Sequence, residues 1–122
     1  MTAKVLIVDD TEHVRRMLVD MLELDGFDVI GEAASGHDAV IMAGKTDPDV
    51  IVMDYRMPEM DGLTTARAVH EQRPDQPIIL YTAYLDDKIE ALAKEAGVAI
   101  CIGKIEGLNS LERHIAELVR SF

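Results

Sequence analysis

The stretch VLIVDD, Val5 to Asp10, decides how the rest of the chain is read. Four consecutive apolar residues, three of them β-branched, are the pattern of a short strand buried on both faces, as strands of parallel sheets are. That strand runs directly into two adjacent carboxylates. Working outward, further apolar runs occur at Val5–Val8, Phe27–Ala33, Val50–Met53, Ile78–Thr82 and Val98–Ile102. Amphipathic segments separate them, and the alternation predicts five βα units around an open, doubly wound sheet with right-handed crossovers.

The first amphipathic segment places Val14, Met17, Leu18, Met21 and Leu22 on one helical face and stops at Asp25-Gly26. Ser35 with Asp38 three residues on predicts the capped start of a second helix, closed by Gly44 to Pro48. A third helix follows Asp61-Gly62 and ends before Pro74. Ile89, Leu92, Ala93 and Ala96 give a fourth its inner face. Leu111, Ile115, Leu118 and Val119 do so for a fifth, whose outer face carries Glu112, Arg113 and Glu117. Met17, Met21, Met42 and Met53 fall on expected core positions, whereas Met57 and Met60 lie in a loop and are expected at the surface.

At 122 residues the chain has the size of one domain, read here as residues 1–122. A net charge of -11 opposes direct binding to a phosphate backbone, so nucleic acid is not an expected partner. No apolar run approaches the roughly 18 residues of a membrane span, and the start lacks a signal-peptide pattern, so the expectation is a cytoplasmic protein. Cys101 is the single cysteine, and the four histidines are scattered without metal-ligand spacing.

In open α/β sheets the functional crevice lies beyond the carboxyl ends of the strands. Asp9 and Asp10 end the first predicted strand, Asp54 follows the third, Thr82 ends the fourth and Lys104 follows the fifth. Each has a plain structural role when taken alone, since Asp opens turns and caps helices. No packing reason explains all five at one rim. Three clustered carboxylates call for a hard divalent cation, and Mg²⁺ with carboxylates and phosphate oxygens suggests phosphoryl transfer. Asp54 is the candidate nucleophile, Lys104 a cation for a phosphate oxygen, and the Thr82 hydroxyl a donor to another.

These residues give the chain a resemblance along its whole length. VDD (Val8 to Asp10), MDYRMPEMDG (Met53 to Gly62), YTA (Tyr81 to Ala83) and Lys104, in this order and at these intervals, resemble a response-regulator receiver domain of bacterial two-component systems. The resemblance implies a flavodoxin-like (βα)₅ sandwich with strand order 2-1-3-4-5. It makes Asp54 the phosphoacceptor, and Asp9, Asp10, Asp54 and the backbone carbonyl of Arg56 the Mg²⁺ ligands. Thr82 becomes the switch hydroxyl and Lys104 the phosphate-contacting cation. The implied donor is a phosphohistidine on a sensor histidine kinase or phosphotransfer protein, and the effector is unknown. Helix 4, strand 5 and helix 5 form the implied surface for homodimers or effectors. The resemblance leads to the expectation of a stand-alone signalling module rather than an enzyme, one that catalyses only its own phosphorylation and dephosphorylation.

Three positions depart from the receiver pattern. Cys101 stands where an aromatic residue is usual, Ile105 where proline usually follows the lysine, and Tyr84 where a small or polar residue is frequent. A trans or locally rearranged bond is expected at Ile105, because a non-proline cis bond costs roughly 2.5–4 kcal/mol. Tyr84 or Tyr81 is expected to fill the space Cys101 leaves, and Tyr84 with Arg56 to shield a phosphoaspartate from water. Two other readings are a pseudo-receiver that only binds partners and a small aspartate-nucleophile phosphatase of the haloacid dehalogenase type. The D-x-D nucleophile strand of the latter is absent from Asp9-Asp10-Thr11-Glu12.

Overall fold

The structure is a computed structural model that describes residues 2–120. Five parallel strands, β1 (Lys4–Val8), β2 (Asp28–Ala33), β3 (Val50–Met53), β4 (Ile78–Thr82) and β5 (Ile100–Gly103), form one sheet in the order β2-β1-β3-β4-β5. Four helices connect them, α1 (Glu12–Leu24), α2 (Gly36–Thr46), α3 (Gly62–Gln72) and α4 (Asp87–Glu95), and α5 (Leu108–Arg120) follows β5 among the described residues. A 3₁₀ turn at Lys104–Glu106 leads into α5. This is the flavodoxin-like topology, with the strand order reversing between β1 and β3.

Burial follows position in the sheet. Central β3 and β4 are buried throughout, β1 from Val5 onward, while edge strands β2 and β5 are partly open. Alternate side chains then serve two cores. Val5, Ile7, Val52, Ile79, Tyr81 and Ile102 pack with α1 and α5 through Leu18, Leu22, Leu111 and Ile115. Leu6, Val8, Ile51, Met53, Ile78 and Leu80 pack with α2, α3 and α4 through Ala39, Ala43, Leu63, Ala66, Val69 and Ala93. Each fully buried Leu or Ile contributes roughly 1.5–3 kcal/mol of transfer free energy, so the two layers make the sheet the rigid base of the molecule.

The helix start at Ser35 is capped as expected, its side chain accepting the backbone N–H of Asp38 at 3.1 Å, and Asp61, which the expected third helix follows, caps α3 by accepting the Thr64 N–H at 2.8 Å. Asp86 caps α4 in the same way through Ile89 at 2.8 Å. Some sequence expectations need correction. Met17 and Met21 are exposed, because the buried stripe of α1 is Leu18, Val19 and Leu22, rotated from the predicted face toward Val19. Met57, expected at the surface, is buried against the α2–α4 core, and Met60 is half-buried. Glu112 is half-buried rather than on the outer face of α5. Strand β5 begins at Ile100 rather than Val98, whose N–H instead bonds to Ala93 O and closes the turn after α4. No helix among the described residues is long and apolar enough to cross a membrane.

Candidate functional site

Asp9 follows β1 immediately, and its backbone N–H donates to Ala33 O at the end of β2. Asp54 follows β3, and its N–H donates to Val8 O. The sheet's own ladder thus sets both carboxylates side by side at the rim. One oxygen from each of Asp9, Asp10 and Asp54 lies within 4.8 Å of the others. Asp9 and Asp54 are 2% and 8% exposed, and Asp10 faces solvent. From the far side of the sheet Lys104 extends its Nζ to 3.1 Å from Asp9 Oδ2 and 3.4 Å from Asp54 Oδ2.

The carboxylates are aimed by local bonds. Thr11 N–H donates to Asp9 Oδ1 at 2.9 Å, and Tyr55 N–H to Asp54 Oδ1 at 2.7 Å. Arg15, which no sequence signal singles out, donates to the Asp9 carbonyl at 2.8 Å and pairs with Glu32 on β2 at 3.2 Å, bracing the β1–α1 connection. Thr11 occupies the cap position of α1 without a side-chain capping bond, so helix capping does not account for the acidic pair. After Asp54 the loop folds back so that Gly62 N–H donates to Tyr55 O at 2.7 Å. A Cβ at Gly62 would collide with the Asp54 carbonyl oxygen, which is why the loop needs glycine there. Beside Asp10, a groove of about 390 Å³ opens between Tyr55, Arg56, Met57, Pro58 and Asp61.

Electrostatics reflect the crowding. Burial pushes the Asp54 pKa above the usual carboxylate value; Lys104 pulls it back, Asp9 adds to the rise, and the Thr82 hydroxyl and Tyr55 N–H oppose it. Burial works against the Lys104 charge, but the adjacent Asp54 and Asp9 more than offset it and raise the lysine pKa. Three carboxylates with hard oxygen ligands, one of them open to solvent, fit Mg²⁺, which commonly keeps several waters.

Thr82 is buried at the end of β4, its Oγ1 accepting the Tyr84 N–H at 3.2 Å. Tyr84 is exposed, and the Arg56 guanidinium stacks on its ring at 4.2 Å from the centroid, bridging the loops after β3 and β4. Tyr81 does not take the space beside Cys101. It faces the α1–α5 core, whereas Cys101, half-buried opposite Leu80, packs against the other one; alternation along a strand separates them. Burial and nearby Glu90 raise the Cys101 pKa, which keeps it a protonated thiol. Ile105 is 98% exposed within the 3₁₀ turn, and every peptide bond among the described residues is trans, as expected for this position. Glu106 is a second residue without a signal in the sequence; its carboxylate accepts the Gly103 N–H at 2.9 Å.

The family model for the response regulator receiver domain matches residues 5–116. The chain belongs to the response-regulator receiver family. Among curated proteins, a protein-glutamate methylesterase/protein-glutamine glutaminase of Alkalilimnicola ehrlichii is 42% identical over 106 residues, covering 85% of this chain and 27% of that protein. The chain thus spans about a quarter of that relative, and the activity in its name is a statement about the longer protein. Among solved structures, the response regulator domain of Thermotoga maritima CheB superposes with a TM-score of 0.90 at 26% identity, covering 98% of each chain. The CheX–CheY–BeF₃–Mg complex of Borrelia burgdorferi matches with a TM-score of 0.84 at 28% identity, covering 93% of this chain and 87% of that one. Receiver domains generally bind Mg²⁺ at an acidic pocket, and this receiver has a cluster of three carboxylates, Asp9, Asp10 and Asp54.

Proposed function

We propose that this receiver accepts a phosphoryl group on Asp54 from a phosphohistidine of a sensor histidine kinase or phosphotransfer protein, and changes its partner-binding surface in response. The observation that carries the reading is the convergence of the Asp9, Asp10 and Asp54 carboxylates within 4.8 Å, with Lys104 reaching across to Asp54. Asp9, Asp10, Asp54 and the Arg56 carbonyl are the proposed metal ligands; Mg²⁺ bound there supplies charge neutralisation for incoming phosphate oxygens. An Asp54 carboxylate oxygen attacks phosphorus, the O–P bond forming as the P–N bond to the donor imidazole breaks and its electron pair leaves with the nitrogen. Lys104 neutralises one phosphoryl oxygen, and the Thr82 hydroxyl donates to another, drawing the β4–α4 loop inward. The Borrelia neighbour, described as a complex with BeF₃ and magnesium, supports this use of the fold.

A protein donor must reach the pocket from the rim, where α1 starts. Running down α1 from that rim, Met17 and Met21 stand exposed beside His13, Arg16 and Asp20, an apolar strip with charged edges suited to a helical partner. On the opposite edge, exposed Ile105 and Tyr84 border the α4–β5–α5 face, the proposed contact for an effector or a second copy. A cytoplasmic location goes with this reading.

Incubation with acetyl phosphate and Mg²⁺, followed by intact mass, tests the reading. Wild type should gain one phosphoryl group, and Asp54→Ala or chelator-treated protein none. No gain in wild type would point to a module that only binds partners, and repeated turnover of phosphomonoesters to a phosphatase.

A further inference from the structure

We propose that Glu106 is a positioning residue for Lys104, its carboxylate clamping the turn that carries the lysine to the phosphoryl site; the inference rests on the function proposed for Asp54. Lys104 follows β5 directly, and its backbone must leave the sheet without losing the aim of its side chain, whose Nζ sits 3.1 Å from Asp9 and 3.4 Å from Asp54. Residue 105 contributes nothing to that constraint, since Ile105 is trans and its side chain is almost wholly in solvent. Two hydrogen bonds close the turn instead. Glu106 Oε2 accepts the Gly103 N–H at 2.9 Å, and Gly107 N–H donates to Lys104 O at 3.1 Å.

The second of these needs Gly107, whose φ of +86° is a conformation L side chains rarely adopt. The first ties the clamp to the switch strand, because Gly103 is the register partner of Thr82 across β4 and β5. Glu106 therefore fixes the backbone on the near side of the lysine at the point where the sheet meets the switch hydroxyl. A lysine has a long, flexible stem, so anchoring its backbone narrows the volume its ammonium searches.

Substitution separates this role from a merely structural one. A glutamine keeps a side-chain oxygen able to accept the Gly103 N–H, and an alanine does not. Phosphorylation rates at saturating acetyl phosphate and Mg²⁺ would be compared for wild type, E106A, E106Q, K104A and E106A/K104A, with amide exchange at Gly103 measured in the same proteins. E106A should lower the maximal rate about tenfold with little change in the donor concentration at half-rate. E106Q should stay within about twofold of wild type, and the double variant should be no slower than K104A, because the clamp acts through the lysine. Gly103 exchange should quicken in E106A and stay protected in E106Q. Unchanged Gly103 exchange in E106A, or an equal slowing by E106A with and without Lys104, would overturn the proposal. Failure of wild type to take a phosphoryl group while Gly103 behaves as expected would instead overturn the reading of Asp54.

Discussion

Asp54 and its neighbours show how single residues divide the work. The acidic pair, Asp54, Thr82 and Lys104 were legible because the strand pattern assigned each to the carboxyl end of a strand, and the sheet then brings those ends together. The stacking of Arg56 on Tyr84 gives the shielding idea a geometry: a planar cation laid on an aromatic ring spans the two loops beside Asp54. Loss of either partner should open that bridge to water. Tyr84→Ala and Arg56→Ala, phosphorylated and then freed of donor, should each dephosphorylate severalfold faster than wild type, followed by intact mass over time; unchanged rates in both would remove the shield. Glu106 escaped the sequence reading for a physical reason. A surface glutamate two residues past a lysine has no periodic or compositional signal, and only the 3₁₀ turn reveals what its carboxylate accepts.

At the scale of elements, α1 and α5 carry the most consequential surprise. They share one face of the sheet, and the periodicity of α1 alone was rotated from its true buried stripe, because Val19 extends the apolar set beyond the ideal positions and either choice leaves a passable helix face. Near the foot of this pair, burial, a hydrogen bond that protonated Glu112 donates to the Asp25 carboxylate, and the Asp25 charge push the pKa of Glu112 up to about 7. One of its carboxylate oxygens is buried without a partner. The folded-state pKa lies above the ordinary value of 4.5, so the folded protein holds more protons between those limits. Stability from this group is therefore fully present below pH 4.5 and is lost as pH rises through 7. Thermal unfolding of Glu112→Gln should show a flatter dependence between pH 5 and pH 8 and a higher Tm than wild type at the upper end, by about 2–5 °C. Parallel curves for the two proteins would contradict the pairing of Asp25 with Glu112.

For the whole molecule, the strand order places the acidic pocket at the point where the chain reverses direction across the sheet, with α1 on one side of it and the β4–α4 and β5–α5 connections on the other. Fold class and strand order were readable from alternating apolar runs and from the receiver resemblance. Which surfaces remain open was not, since exposure of Met17 and Ile105 depends on packing between elements far apart in sequence. A donor that docks along α1 should feel that surface, whereas a small donor should not. Met17→Asp should slow phosphoryl transfer from a phosphohistidine protein by about tenfold or more, as loss of about 1.4 kcal/mol of contact would, and leave the rate with acetyl phosphate within twofold. Equal slowing with both donors would place the effect in the pocket instead. The central claim, that the meeting of these strand ends makes Asp54 the acceptor, is tested most directly by locating the group. Protein treated with acetyl phosphate and Mg²⁺ would be reduced with borohydride, which converts an aspartyl phosphate to homoserine, and mapped by peptide mass. Homoserine at position 54 is the predicted result; homoserine at Asp9 or Asp10, or a phosphoryl group on histidine with position 54 unchanged, would contradict it.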